Sequence, residues 1–229
     1  MSKAKFILSK DTLANYKKNY EVIANDDNIQ QIVYDYLNKY GPSVNLNCID
    51  VGYVTQMNDL FANSGFEGNV SEWDVSSVEN FDGMFGGCRK FNCDISAWEV
   101  RSAKSMDNMF ANCRIFNISL NNWDVSSVTS MGGMFRGCHR FNQNLDKWDV
   151  SNVTDMSCMF INCLEFEGKG LKQWKVNKVE DITAMFKCCE KFKEDLSKWS
   201  LDSCEMILDF DANTKSWSNE KKPFIKIKM

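Results

Sequence analysis

Apolar residues recur along most of this chain in a fixed order. Tryptophan stands at positions 73, 98, 123, 148, 174 and 199, at spacings of 25, 25, 25, 26 and 25 residues. Three residues before each comes an aliphatic: Val70, Ile95, Leu120, Leu145, Leu171, Leu196. Two after it comes Val75, Val100, Val125, Val150, Val176, Leu201. A further apolar set begins eight residues after the tryptophan; in the central copy it is Met131, Met134, Phe135, Cys138 and Phe141. A fixed period in this range is the sequence signature of a stacked repeat architecture.

Each repeat has two parts. Trp123 and Val125 alternate with polar neighbours and are aromatic or β-branched, which predicts extended chain. The spacing from Met131 to Phe141 follows one face of a helix turning every 3.6 residues, which predicts two to three helical turns. One such unit cannot bury its apolar face alone, whereas stacked units bury it against each other. The predicted fold is therefore an α/β solenoid, a leucine-rich-repeat-like stack of about seven 25-residue strand-plus-short-helix repeats. Equivalent residues would form ladders of Trp on Trp, Met-Phe on Met-Phe, and Cys on Cys. The first repeat is degenerate, with Ile49 in place of tryptophan. Gly168-Lys169-Gly170 marks a one-residue insertion that predicts a local bulge.

The ends differ from the middle. Residues 1–42 lack the repeat and predict an N-terminal helical cap of two helices. One would run through Leu13, Tyr16 and Tyr20; the other, led by Asp26-Asp27, would carry Ile29, Ile32, Val33, Tyr36, Leu37 and Tyr40 and stop at Gly41-Pro42. Residues 43–217 hold the seven repeats. Residues 218–229 form a short basic tail, either a capping strand or disordered.

Composition narrows the function. No run approaches the 18 apolar residues or so that a membrane helix needs, so membrane insertion is not expected. Phe6-Ile7-Leu8 is far shorter than a signal-peptide core. Either the chain stays in the cytosol or a leader has been removed, and the initiator methionine favours a cytoplasmic location. Five of the ten cysteines, Cys88, Cys113, Cys138, Cys163 and Cys189, share one repeat position, which predicts reduced, buried, small hydrophobes rather than disulfides. No CxxC pairing with a matching second pair exists, and His139 is the single histidine, so neither a metal site nor another cofactor is expected. Nucleotide-binding glycine motifs, HExxH and a credible Ser-His-Asp set are all absent, so no catalytic residues are assigned and the chain reads as a non-enzyme.

The stretches FNISLNNWDVSSVTSMGGMFRGCHRF and FNQNLDKWDVSNVTDMSCMFINCLEF resemble the 25-residue, PARCEL-type repeat of BspA-like surface proteins. The resemblance covers about residues 46–217. It implies a leucine-rich-repeat-like solenoid acting in adhesion or protein–protein recognition, commonly at a microbial cell surface, and it brings no catalytic residues with it.

The candidate binding face is the column after each tryptophan: Asp74, Glu99, Asp124 and Asp149, with Ser76, Ser126 and Ser151 beside them and Lys175 closing the series. Two readings apply. The carboxylates can bond the following turn, as Asp124 could with Ser126 and Ser127, or they form an acidic stripe that receives a basic partner or a cation. Residues 43–165 carry 8 basic and 15 acidic groups, against 13 and 11 in residues 166–229. This polarity could orient a protein partner or promote self-association into a scaffold. With no basic stripe carrying interleaved aromatics, a nucleic-acid partner is not expected. A further column, Asn92, Asn117 and Asn142, predicts bonding along a turn.

Overall fold

The computed structural model describes residues 22–224. The predicted helix through Leu13, Tyr16 and Tyr20 lies outside them. Strand β1 (Val22–Asn25) comes first, then helix α1 (Ile29–Tyr40) and strand β2 (Ile49–Tyr53). β1 pairs in parallel with β2, Val22 opposite Ile49. The N-terminal segment is thus more than a helical cap: between the two expected helices a strand adds one more layer to the first repeat. Helix α1 buries Ile29 and Val33 and ends at Gly41, whose φ is 82° and whose N–H donates to the Leu37 carbonyl. Asp26 does not cap the helix. Its carboxylate accepts from Thr55 N and Thr55 Oγ1, each at 2.7 Å, and from Gln56 N at 3.0 Å, which ties the cap to the first repeat.

Successive repeats lie in register as rungs. Single parallel bridges link Gln56, Asn80, Ser105, Ser130, Asp155, Asp181 and Met206, one from each rung. The Trp-x-Val segments bury alternate residues as an extended chain does, but they form no strand and carry none of these bridges, which stand seven residues after each tryptophan; β2 is the one rung strand among the described residues.

The segments predicted as helix are not helical. In the central rung the N–H groups of Met131, Gly133, Phe135 and Gly137 donate to Asp155, Ser157, Met159 and Ile161 of the next rung, at 2.7–3.0 Å. The intervening N–H groups of Met134, Arg136 and Cys138 bond back three residues, to Met131, Gly133 and Phe135. A helix would keep all of these donors within the segment; here every second one goes to the neighbouring rung. The path needs a left-handed residue at two points per rung, Gly133 (φ 63°) and Gly137 (φ 71°) in the centre, Asn108 (φ 54°) and Asn112 (φ 62°) one rung earlier. The resulting chain buries Met131, Met134, Phe135, Cys138 and Phe141, so the 0, 3, 4, 7, 10 spacing of a helix arises without one. Among the described residues α1 is the only α-helix.

The alternation of asparagine and glycine at these points has a steric cause. A Cβ on Gly133 would lie 2.4 Å from Asn108 Oδ1, and one on Gly137 would lie 2.6 Å from Asn112 Oδ1. The amide of one rung fills the space that the glycine of the next leaves open.

Side chains complete the rung-to-rung bonding. Each tryptophan indole donates to a carbonyl of the preceding rung: Trp98 to Val70, Trp123 to Ile95, Trp148 to Leu120, at 2.8–3.1 Å. Their rings stack, with Trp98 and Trp123 6.4 Å apart and 5° from parallel. Phe85, Phe110, Phe135 and Phe160 form a second stack at 5.6–5.8 Å. The cysteines do more than fill space. Cys113, Cys138, Cys163 and Cys189 donate S–H to the carbonyls of Phe85, Phe110, Phe135 and Phe160, at 2.9–3.1 Å. At the last rung the same place is taken by Thr214, whose hydroxyl donates to Phe186 O at 2.5 Å. Burial pushes the Cys138 and Cys163 thiols well above their ordinary range, which keeps them protonated as donors.

The stack closes on residues 210–224. Parallel ring stacking gives way to edge contacts, Phe186 to Phe210 at 69° and Phe192 to Trp217 at 76°. The insertion at Gly168–Gly170 is absorbed by a short 3-10 turn, Leu171–Gln173. Of the tail, Asn219–Lys221 is another 3-10 turn, and Lys221 O accepts from Leu196 N at 2.8 Å. The described part of the tail therefore docks on the last rung and forms no strand there, and residues 225–229 lie outside the described residues.

The donor role of the thiols gives a test. Cys138→Ala should lower stability by about 1–2 kcal/mol, from the lost bond and the small cavity. Cys138→Ser, which keeps a donor as Thr214 does, should cost less. Urea unfolding of the two variants measures the difference.

Candidate functional site

The column after the tryptophans is exposed along its length: Asp74, Glu99, Asp124, Asp149 and Lys175 all face solvent. Buried residues on either side fix each one, since Trp123 and Val125 hold Asp124 between them pointing outward. The turn bonding offered by the sequence is present. Asp74 Oδ1 accepts from Ser76 N at 3.1 Å and Ser76 Oγ at 2.6 Å; Asp124 does the same with Ser126 at 3.1 and 2.6 Å. Asp149 Oδ1 accepts from Ser151 N at 3.0 Å. The Ser151 bonds, with help from Lys175, hold the Asp149 carboxyl below its usual range. One oxygen of each carboxylate thus braces the turn while the group stays exposed.

Glu99 has no serine two residues on; Arg101 stands there. Glu99 and Asp124 of adjacent rungs line an open hollow of about 480 Å³ with Ser96, Trp98, Arg101 and Asn122. The column also begins one rung earlier than the tryptophans indicate. Asp50 follows Ile49, the residue in the tryptophan's place, and is 3% exposed beneath the paired β1. Its Oδ1 accepts from Gly52 N at 3.0 Å, and its Oδ2 has no partner among the described residues. Ile49 in place of tryptophan was the available signal for it.

A second acidic series escaped sequence reasoning because its members alternate between two repeat positions. Asp155 Oδ1 accepts from Ser157 N, and Asp181 Oδ1 from Thr183 N, both at 2.7 Å within one rung. Where that bridge position holds serine, the previous rung supplies the carboxylate. Asp82 Oδ1 accepts from Ser105 Oγ and Asp107 N at 2.5 and 2.8 Å; Asp107 Oδ1 accepts from Ser130 Oγ and Gly132 N at 2.6 and 2.7 Å. The serine at the bridge thus pairs with an aspartate one rung back. This series serves the backbone. No group of three or more His, Cys, Asp or Glu among the described residues is placed to hold a metal ion.

The asparagine column also acts between rungs, Asn117 N donating to Asn92 Oδ1 at 2.9 Å and Asn142 N to Asn117 Oδ1 at 3.0 Å.

Burial, with repulsion from Asp82 and Asp155, raises the Asp107 carboxyl above its usual range. A carboxyl raised in the fold keeps its proton to higher pH there than in the unfolded chain, so its contribution to stability falls as pH rises through that window. Asp107→Asn keeps the Oδ1 acceptor and removes the charge. The variant should melt higher than wild type at neutral pH, with the gain shrinking as the pH is lowered into the carboxylate range; melting curves at several pH values check this.

No helix among the described residues is long and apolar enough to cross a membrane. No curated protein and no solved structure matches the chain. One family model matches twice, over residues 31–138 and 118–222, under the description "Mycoplasma protein of unknown function, DUF285". Those two stretches together run from within α1 to the last turn, and the chain belongs to that family.

Proposed function

We propose that this chain is a non-enzymatic interaction module of the BspA-like type, a leucine-rich-repeat-like solenoid that binds another protein through its exposed repeat surface. The observation that carries the reading is the exposed column Asp74, Glu99, Asp124 and Asp149. The carboxylates at 74, 124 and 149 are held in fixed orientation by their own turns. Bracing lowers the conformational cost of engaging a partner, because the side chains are already ordered. A partner with basic groups spaced at the rung pitch would meet all four at once, and rim charges of this kind chiefly govern association rate and specificity. Ser76, Ser126 and Ser151 set the orientation, and Lys175 ends the acidic run.

The test is a pull-down from the source cell lysate with wild type and with a variant carrying Asp74→Asn, Glu99→Gln, Asp124→Asn and Asp149→Asn. The amides keep the turn acceptors and remove only charge. A protein retained by wild type, lost from the variant and released at high salt is the expected result. Retention of the same partners by both would remove the acidic column from recognition.

A further inference from the structure

Arginine occurs at five positions, Arg89, Arg101, Arg114, Arg136 and Arg140. Every ion pair among the described residues is made by a lysine. No arginine side chain takes an ion pair or hydrogen bond among them. Four of the five flank the cysteine column: Arg89 follows Cys88, Arg114 follows Cys113, and Arg136 and Arg140 stand on either side of Cys138. The cysteines hold one place in successive rungs, so Arg89, Arg114 and Arg140, one or two residues after them, share one corner of three adjacent rungs. Arg140 N donates to Arg114 O at 3.2 Å across two of them.

Arg89, Lys90 and Arg114 line an open groove of about 580 Å³ with Asn63, Glu67 and Asn112. On the next rung the same corner carries Leu164 and Glu165, and Glu165 is paired to Lys191. The cationic edge is therefore three rungs long, on a chain whose net charge is −4. Like charges held on neighbouring rungs, spaced by about 4.8 Å as in a parallel sheet, repel one another. The groove contributes one carboxylate, Glu67, which lies 3.7 Å from Lys90. An anionic partner would relieve the repulsion, and arginine is the residue whose planar fork takes a carboxylate through two bonds.

The edge is not purely ionic. Ile115, next to Arg114, is 46% exposed between the rungs of Arg89 and Arg140. No aromatic side chain lines the groove, which leaves nucleic-acid bases nothing to stack on. An apolar side chain ringed by cations fits a peptide better than a bare polyanion. We propose that this corner docks an acidic segment of another protein, an extended stretch whose carboxylates meet Arg89, Arg114 and Arg140 and whose apolar residue covers Ile115. The edge is distinct from the acidic column, so either surface can fail without the other.

Fluorescence anisotropy of the whole chain with a labelled peptide of alternating glutamate and leucine tests this. Saturable binding is expected, weakening steeply as salt is raised from about 0.05 to 0.5 M. The variant Arg89→Glu, Arg114→Glu, Arg140→Glu should bind roughly tenfold more weakly or worse. Its positions are exposed, and an unchanged near-ultraviolet dichroism spectrum verifies the fold. Ile115→Ser should weaken the peptide severalfold, and a labelled oligothymidylate should bind less tightly than the peptide. Absence of saturable binding, or equal binding by the triple glutamate variant, overturns the proposal. So does an oligothymidylate that binds as tightly as the peptide, or an Ile115→Ser variant that binds like wild type.

Discussion

Every second backbone N–H between the eighth and fourteenth residue after a tryptophan is handed to the next rung, and the structure depends on that division. It leaves each unit too few internal bonds to be a helix and makes every unit require a neighbour. The same constraint sets the side chains. Two residues per rung must be left-handed, a conformation costing about 1–2 kcal/mol for most residues, and asparagine, aspartate and glycine fill most of these places. Carbonyls of the preceding rung attract the indole N–H of tryptophan and the S–H or O–H of cysteine and threonine. The consensus is a list of donors as much as a list of apolar residues.

Such a stack separates the positions that set stability from those that are free to vary. The inner positions hold the register, and the outer ones, between buried neighbours, can vary at little cost. The two surfaces singled out both lie on such outer positions. One is a run of carboxylates braced by serines; the other is a run of unpaired arginines around an exposed isoleucine. Their charges are opposite, and both repeat at the rung pitch because the backbone does. If both proposed surfaces bind, one chain presents two faces that select partners of opposite charge.

The repeat, its phase and the buried residues were legible from spacing alone, since Trp, Val, Met, Phe and Cys recur at fixed intervals. The helix was misread because Met131, Met134, Phe135 and Cys138 fall at offsets that a helical face also produces; what distinguishes the two is the left-handed pair, Gly133 and Gly137, whose glycines and asparagines alternate between rungs. The thiol donors were open to inference from Thr214 at the cysteine position. Strand β1 was not, because Val22–Asn25 carries no repeat pattern and pairs only through its backbone. Of the candidate site, the column from Asp74 to Asp149 could be read directly, whereas Asp50 needed Ile49 to be placed in the tryptophan's position. The Asp82–Ser105 and Asp107–Ser130 pairs cross between rungs and change position, so no single column reveals them.

If rungs are joined only through in-register bonds to their neighbours, one of them can be removed. Deleting residues 95–119 brings Trp123 over Val70, Cys138 over Phe85 and Ser130 over Asp82, pairings that the intact chain makes one rung apart, while Gly133 and Gly137 meet Gly83 and Gly87 in place of Asn108 and Asn112 and leave a small gap that lowers the midpoint further. The measurement is urea unfolding of this shortened chain, followed by tryptophan fluorescence. A single cooperative transition at a lower midpoint than wild type is the predicted result, since stability in a stack is a sum over neighbouring interfaces. Loss of the cooperative transition would contradict the account, because it would mean that the missing rung made contacts beyond its two neighbours.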